Sequence, residues 1–172
     1  MASNTLIPAK NGSMGIPRNK VAIGSFLGSI WLLSQLTSFD RQYFAQFGAQ
    51  MTKVLIIDDS ALMRKINRDH LEEAGYAVDD FMPDSVAALV DRITATPPDL
   101  VLSDFNMPNV DGMNVARTVR RTNPNIPVII LTANRDVARE SMLQTMGVRK
   151  ILHKPIHGAD LIGAIGAVLA MS

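Results

Sequence analysis

The chain has 172 residues and 47% hydrophobic content, enough for one domain with a real core plus an appendage. It contains no cysteine, which excludes disulfides, thiolate metal sites and thiol catalysis and makes a reducing compartment its natural setting. The net charge is +1, split into +3 over residues 1–51 and −2 over residues 52–172, so there is no basic footprint for nucleic acid.

Residues 1–20 are polar and punctuated by Pro8, Gly12, Gly15 and Pro17, and are predicted to be disordered. Residues 21–36 carry no charge and are followed by Phe39, Tyr43, Phe44 and Phe47. A membrane span needs about 20 apolar residues, and this run is shorter and interrupted by Gly and Ser. A secretory signal would fit Arg18 and Lys20, but no clean small-x-small cleavage site follows. Membrane contact or docking through 21–47 is the alternative to a more economical reading. Met51-Thr52-Lys53 reads as a natural start, which makes 1–51 an N-terminal extension and 52–172 the folded domain.

From Thr52 the pattern alternates between strand and helix. Strands are predicted near 53–57, 77–81, 99–103, 127–132 and 149–153. Helices are predicted near 60–74, 84–94, 112–122, 136–146 and 158–170. The first helix places Met63, Ile66, Leu71 and Ala74 along one face, and Gly75 ends it. Pro97-Pro98 and Asn123-Pro124 punctuate the joins before the third and fourth strands. Five βα units imply a doubly wound parallel sheet with helices on both faces and right-handed crossovers. The runs 54–57 and 128–131 are apolar on both faces and belong in its centre.

Four strands end on chemically useful residues. Val54-Leu55-Ile56-Ile57 ends in Asp58-Asp59, Leu100-Val101-Leu102-Ser103 in Asp104, Val128 to Leu131 in Thr132, and Ile151-Leu152-His153 in Lys154. In an open α/β sheet, ligands bind outside the carboxyl ends of the strands, so these residues converge. Paired carboxylates suit a hard divalent cation, and a lone strand-end carboxylate can accept a phosphoryl group as an acyl phosphate. A hydroxyl and an ammonium supply donors for phosphoryl oxygens. Each residue also has an ordinary reading. Asp59 or Ser60 could cap the first helix, Thr132 could cap the fourth, and Lys154 could be a solvated lysine. Four suitable strand ends together are much harder to assign to chance.

The motifs VLIIDDS with ALMRKI, SDFNMPNVDG, ILTA and HKP, spread over residues 52–172, resemble the receiver domain of two-component response regulators, especially the stand-alone chemotaxis type. The resemblance implies a flavodoxin-like (βα)5 fold with strand order 2-1-3-4-5. It implies Asp104 as phosphoacceptor, and Mg2+ (or Mn2+) held by Asp58, Asp59, Asp104 and the Asn106 backbone carbonyl. It implies that Thr132 and Ala133 contact the phosphoryl group, with Thr132 as the switch hydroxyl and Lys154 as its paired lysine. A cis bond to Pro155 is frequent in the family. The implied partners are a sensor histidine kinase or phosphotransfer protein and a target protein on the face of helix four, strand five and helix five. The implied role is cytoplasmic signalling and not enzymatic turnover. Two alternatives are a metal-dependent phosphatase or phosphotransferase, for which no cap-sized insertion is evident, and a non-phosphorylated binding module.

The sequence departs from the chemotaxis pattern at Ile151, where that type carries a switch aromatic, and at Ile156, where Phe is frequent. Helix five lacks charge from Leu161 to Met171, so its outer face is expected to be covered, for instance by a second copy of the chain. His153 and His157 are four apart, but Pro155 between them argues against a metal pair. His70 is expected to be structural. Arg117, Arg120 and Arg121 are expected to form a solvated face, and Arg135, Arg139, Arg149 and Lys150 to line the output side. No output domain is expected after residue 172.

Overall fold

The computed structural model describes residues 51–172. The uncharged run 21–36, the aromatic residues that follow it and the disorder expected of 1–20 lie outside the described residues. Five parallel strands, β1 (Lys53–Ile57), β2 (Ala77–Phe81), β3 (Leu100–Asp104), β4 (Val128–Thr132) and β5 (Val148–His153), pair in the order β2-β1-β3-β4-β5. They alternate with α1 (Ala61–Glu73), α2 (Val86–Ala95), α3 (Gly112–Thr122), α4 (Val137–Thr145) and α5 (Gly158–Leu169).

Successive side chains on a strand face opposite ways, and here both ways lead into a core. Leu55, Ile57, Val101 and Ile130 pack with Leu89 and Ile93 of α2, Val115 and Val119 of α3 and Leu143 of α4. Val54, Ile56, Leu102 and Ile129 pack with Leu71 of α1 and Leu161, Ile165 and Val168 of α5. This double burial explains why β1, β3 and β4 read as unbroken apolar runs. Side-chain oxygens of Ser60, Ser85 and Asp111 accept from backbone N–H groups of the first turns of α1, α2 and α3, which sets where those helices begin. Gly75 and Gly147, both at φ +91°, turn the chain out of α1 and α4 into the next strand.

The edge strand β2 reads Ala-Val-Asp-Asp-Phe and is half-buried throughout. Its two carboxylates point to opposite faces, and each meets arginine. Asp80 pairs with Arg64 at 3.1 Å and with Arg68, both on α1, while Asp79 pairs with Arg92 on α2. Inward-paired charge on an edge strand also discourages pairing with another chain.

Three expectations need correction. The buried side of α1 runs through Asn67 and Leu71, while Ile66 is exposed, because 67 and 71 share a face from which 66 is rotated by one residue. Arg120 does not merely face solvent, since its Nη1 donates to the Thr145 carbonyl at 2.7 Å and joins α3 to the end of α4. On α5, the exposed positions are Ala159, Asp160, Gly163 and Ala167, so beyond Asp160 its outer face is apolar but shallow, with Ala170 and the large side chain of Met171 exposed after the helix ends. Larger exposed apolar side chains sit instead at Leu62 on α1, Val86 on α2 and Val137 on α4. Among the described residues, no helix is long and apolar enough to cross a membrane.

Candidate functional site

The carboxyl rim of the sheet brings Asp58, Asp104 and Lys154 into one cluster. Asp104 is the last residue of β3 and is 6% exposed, and Asp58 follows β1 and is 1% exposed. Central strands carry both carboxylates into a region where water reaches them poorly, so they need partners. Lys154 Nζ supplies one, lying 2.5 Å from Asp104 Oδ1 and 3.3 Å from Asp58 Oδ2. Backbone amides supply the rest: Ser60 N–H donates to Asp58 Oδ1 and Asn106 N–H to Asp104 Oδ2, each at 2.8 Å.

Lys154 is fixed by the same rim. Its N–H donates to the Thr132 carbonyl at 2.8 Å, which extends the β4–β5 ladder by one residue, and the bond from Lys154 to Pro155 is cis. Burial lowers the Lys154 ammonium's proton affinity, but hydrogen bonds and charge from Asp104, with the further charge of Asp58, outweigh it and raise its pKa above the ordinary lysine range. Lys154 is therefore not a solvated surface lysine.

Other predicted residues stand at different distances from this centre. Asp59 is exposed beside Asp58, and Asn106 and Ala133 are exposed at the rim. Thr132 is buried, but its hydroxyl is turned along its own chain, accepting from Asn134 N–H at 3.2 Å and lying 3.4 Å from the Asn134 carbonyl. It caps no helix, since Asp136 caps α4. Ser60, not Asp59, caps α1. Asp111 caps α3 through Asn114 N–H at 2.8 Å, in keeping with the turn-and-helix reading of Asp111-Gly112.

Around the rim, α4 is held at two points. Arg139 lies over the ring of Phe105, next to Asp104, and Glu140 Oε1 lies 3.4 Å from His153 Nε2, next to Lys154. His153 thus faces α4, and its Nδ1 is buried with no hydrogen-bond partner among the described residues. His70 packs against Gly158 at the start of α5, in a structural place. Ile151, opposite Ile130, is partly buried and packs into the layer under α2, α3 and α4.

Reading the sequence alone missed Arg64. Its Nη1 donates to the Asp58 carbonyl at 2.7 Å while its Nε pairs with Asp80. The available signal was two adjacent aspartates inside an otherwise apolar strand, which require cations on both neighbouring helices.

The donors fit a small hard cation. Two buried carboxylates already converge on one positive charge, a third carboxylate is adjacent and exposed, and all the donors are oxygens. Among the described residues, no three acidic or imidazole groups form a closed cage. A cation such as Mg2+ keeps several waters and takes few protein ligands, so a few carboxylate oxygens are enough to hold it.

A doubly wound domain with this strand order and acidic rim belongs to the class that the chemotaxis regulators exemplify. The response regulator receiver domain profile matches residues 54–166, and the chain belongs to that family. The chain is 32% identical over 119 residues to the response regulator receiver protein CpdR of Brucella abortus, covering 69% of this chain and 98% of that one. It is 33% identical over 117 residues to the response regulator MprA of a Mycobacterium species, covering 68% of this chain and 50% of MprA. The chain thus spans about half the length of the MprA relatives it matches. Among solved structures, the chemotaxis protein CheY4 of Vibrio cholerae superposes with TM-score 0.63 at 26% identity, over 69% of this chain and 99% of that one. A CheY-like receiver domain from Methanospirillum hungatei, at 20% identity and TM-score 0.65 over 71% of this chain and 96% of that one, supports the fold alone.

Proposed function

We propose that residues 52–172 act as a phosphoacceptor switch in a two-component pathway, with residues 1–51 as an extension to it. A carboxylate oxygen of Asp104 attacks phosphorus, the phosphorus–nitrogen bond of a donor phosphohistidine breaks, and the donor imidazole leaves with the electron pair. The donor is a sensor histidine kinase or a phosphotransfer protein; with a small acyl phosphate the phosphorus–oxygen bond breaks instead and the donor's carboxylate leaves with the electron pair. The observation that carries the reading is the buried Asp104 carboxylate at the end of β3, held between Lys154 Nζ and Asn106 N–H with Asp58 beside it.

Asp58, Asp59, Asp104 and the Asn106 backbone carbonyl would hold Mg2+ or Mn2+, which when bound neutralises charge on the phosphoryl oxygens. Lys154 pairs with one of those oxygens. Thr132 turns its hydroxyl from the Asn134 backbone toward the phosphoryl group, beside Ala133, and so releases the β4–α4 turn. The shift favours a second arrangement of the face made by α4, β5 and α5, which a target protein reads or from which the phosphoryl group is relayed onward. A second copy of the chain is a further candidate for the shallow face of α5. The cysteine-free composition and kinase-dependent chemistry suit the cytoplasm.

Incubation with acetyl phosphate and Mg2+, followed by intact mass, tests this. The wild type gains one phosphoryl group and Asp104→Asn gains none. No gain in the wild type overturns the reading, and a gain that persists in Asp104→Asn moves the acceptor elsewhere.

A further inference from the structure

We propose that Arg64 is a positioning residue for the cation site, acting through the Asp58–Asp59 peptide bond. The inference rests on the reading of Asp58 and Asp59 as cation ligands.

The two carboxylates are held very differently. Asp58 is buried, and its side chain is fixed by Ser60 N–H and Lys154. Asp59 is exposed, and among the described residues its carboxylate makes no hydrogen bond or ion pair. What aims Asp59 is therefore its backbone. The carbonyl of Asp58 lies in the same rigid plane as the nitrogen and Cα of Asp59, because the peptide unit between them is planar. A donor that pins that carbonyl oxygen sets the direction in which the Asp59 side chain leaves the chain.

Arg64 Nη1 is that donor, at 2.7 Å. The guanidinium is anchored in turn, since its Nε pairs with Asp80 Oδ2 at 3.1 Å and the side chain is 19% exposed. Asp80 is itself held by Arg68, whose Nη1 also donates to the Val78 carbonyl at 2.9 Å. A rigid planar fork that joins a strand-end carbonyl to a carboxylate on the neighbouring strand is a task for arginine, and lysine would reach one partner at a time. The edge strand β2, which contributes no residue to the rim cluster, thus reaches the site through Arg64.

Charge and position make opposite demands on Arg64. If it acted only as a nearby positive charge, its removal would tighten binding of a divalent cation. If it positions Asp59, its removal weakens that binding. Asp80 already balances much of its charge, so position is expected to dominate.

The test is Mn2+ titration of the full-length protein, followed by the electron paramagnetic resonance signal of free Mn2+, with the unfolding midpoint measured in parallel without metal. Arg64→Gln is expected to weaken Mn2+ binding on the order of tenfold, the scale on which outer-shell partners act. Arg64→Lys should recover part of it. Intact mass at saturating Mg2+ and acetyl phosphate should still show one phosphoryl group on Arg64→Gln. Binding that is unchanged or tighter in Arg64→Gln, with wild-type binding intact, overturns the positioning role alone. A wild type that binds no Mn2+ overturns the reading of the site itself, and this inference with it. Should Arg64→Gln fail to fold, Arg64→Lys carries the test, and affinity equal to wild type overturns the proposal.

Discussion

Arg139, on the first turn of α4, lies over the ring of Phe105 with its guanidinium carbon 4.9 Å from the ring centroid. Phe105 follows Asp104 directly, so α4 touches the residue beside the proposed acceptor. A cation over an aromatic face at a part-exposed site contributes about 0.5–1 kcal/mol. Arg139→Ala should lose about that much in urea unfolding and should raise hydrogen exchange in the first turns of α4 above that of α1. Equal exchange in the two helices would show that the contact does not hold α4.

Lys154 is the counter-ion of two buried carboxylates. Lys154→Met leaves Asp58 and Asp104 facing one another without a cation. Removing one member of a buried ion pair costs up to about 3–5 kcal/mol, but the lysine side chain is 24% exposed, so about 1–3 kcal/mol is expected at neutral pH. The same variant should bind Mg2+ more tightly, because the ammonium no longer competes for the carboxylates, and its thermal midpoint should rise more with Mg2+ than the wild type's. The Lys154 pKa is raised above 10.5, and burial raises that of Tyr76 above 10.0. In both cases the protonated form is favoured in the folded state. The stability each contributes is complete below its ordinary pKa and is lost as pH rises through the raised one. An alkaline decline in unfolding midpoint starting near pH 10 should therefore shrink in Lys154→Met and in Tyr76→Phe separately. An identical alkaline limb in all three proteins would refute this assignment.

Gly112 opens α3 where no side chain fits. A Cβ there would lie 2.9 Å from Phe105 Cα and 3.2 Å from the Asp104 carbonyl oxygen. Backbone atoms cannot step aside cheaply, so the clash should outweigh alanine's better helix propensity. Gly112→Ala is expected to lose about 1–2 kcal/mol in denaturant unfolding. The loop after Asp104 should shift with it, so acetyl phosphate labelling should slow. Labelling at the wild-type rate would place the strain elsewhere.

Much of the architecture was legible because its signals are local. Val54–Ile57 and Val128–Leu131 announce strands buried on both faces, and β1 and β2 fall where the pattern put them. The third strand runs one residue further than expected, to Asp104, since Phe105 N–H still donates to the Leu131 carbonyl across the sheet. The second helix starts two residues late because Ser85 serves as its cap. The convergence of Asp58, Asp104 and Lys154 followed from strand ends sharing a rim. What stayed hidden depends on rotamers and on partners far along the chain. Nothing local shows that Thr132 turns its hydroxyl to Asn134, that Arg64 spans Asp58 and Asp80, or that Ile151 faces the α3 layer. The outer face of α5 was overestimated because hydropathy counts alanine and glycine as apolar without weighing how little surface they present.

The Lys154 bridge to Asp58 joins residues 96 positions apart, and Asp104 enters the same bridge from between them. No contiguous fragment shorter than that span holds the complete cluster. Under the proposed chemistry, a chain emerging from the ribosome would lack the lysine of its acceptor site until almost the whole domain had been made. Labelling at Asp104 would then certify that β1, β3 and β5 are all in place, which makes the modification itself an assay of folding in a crude extract.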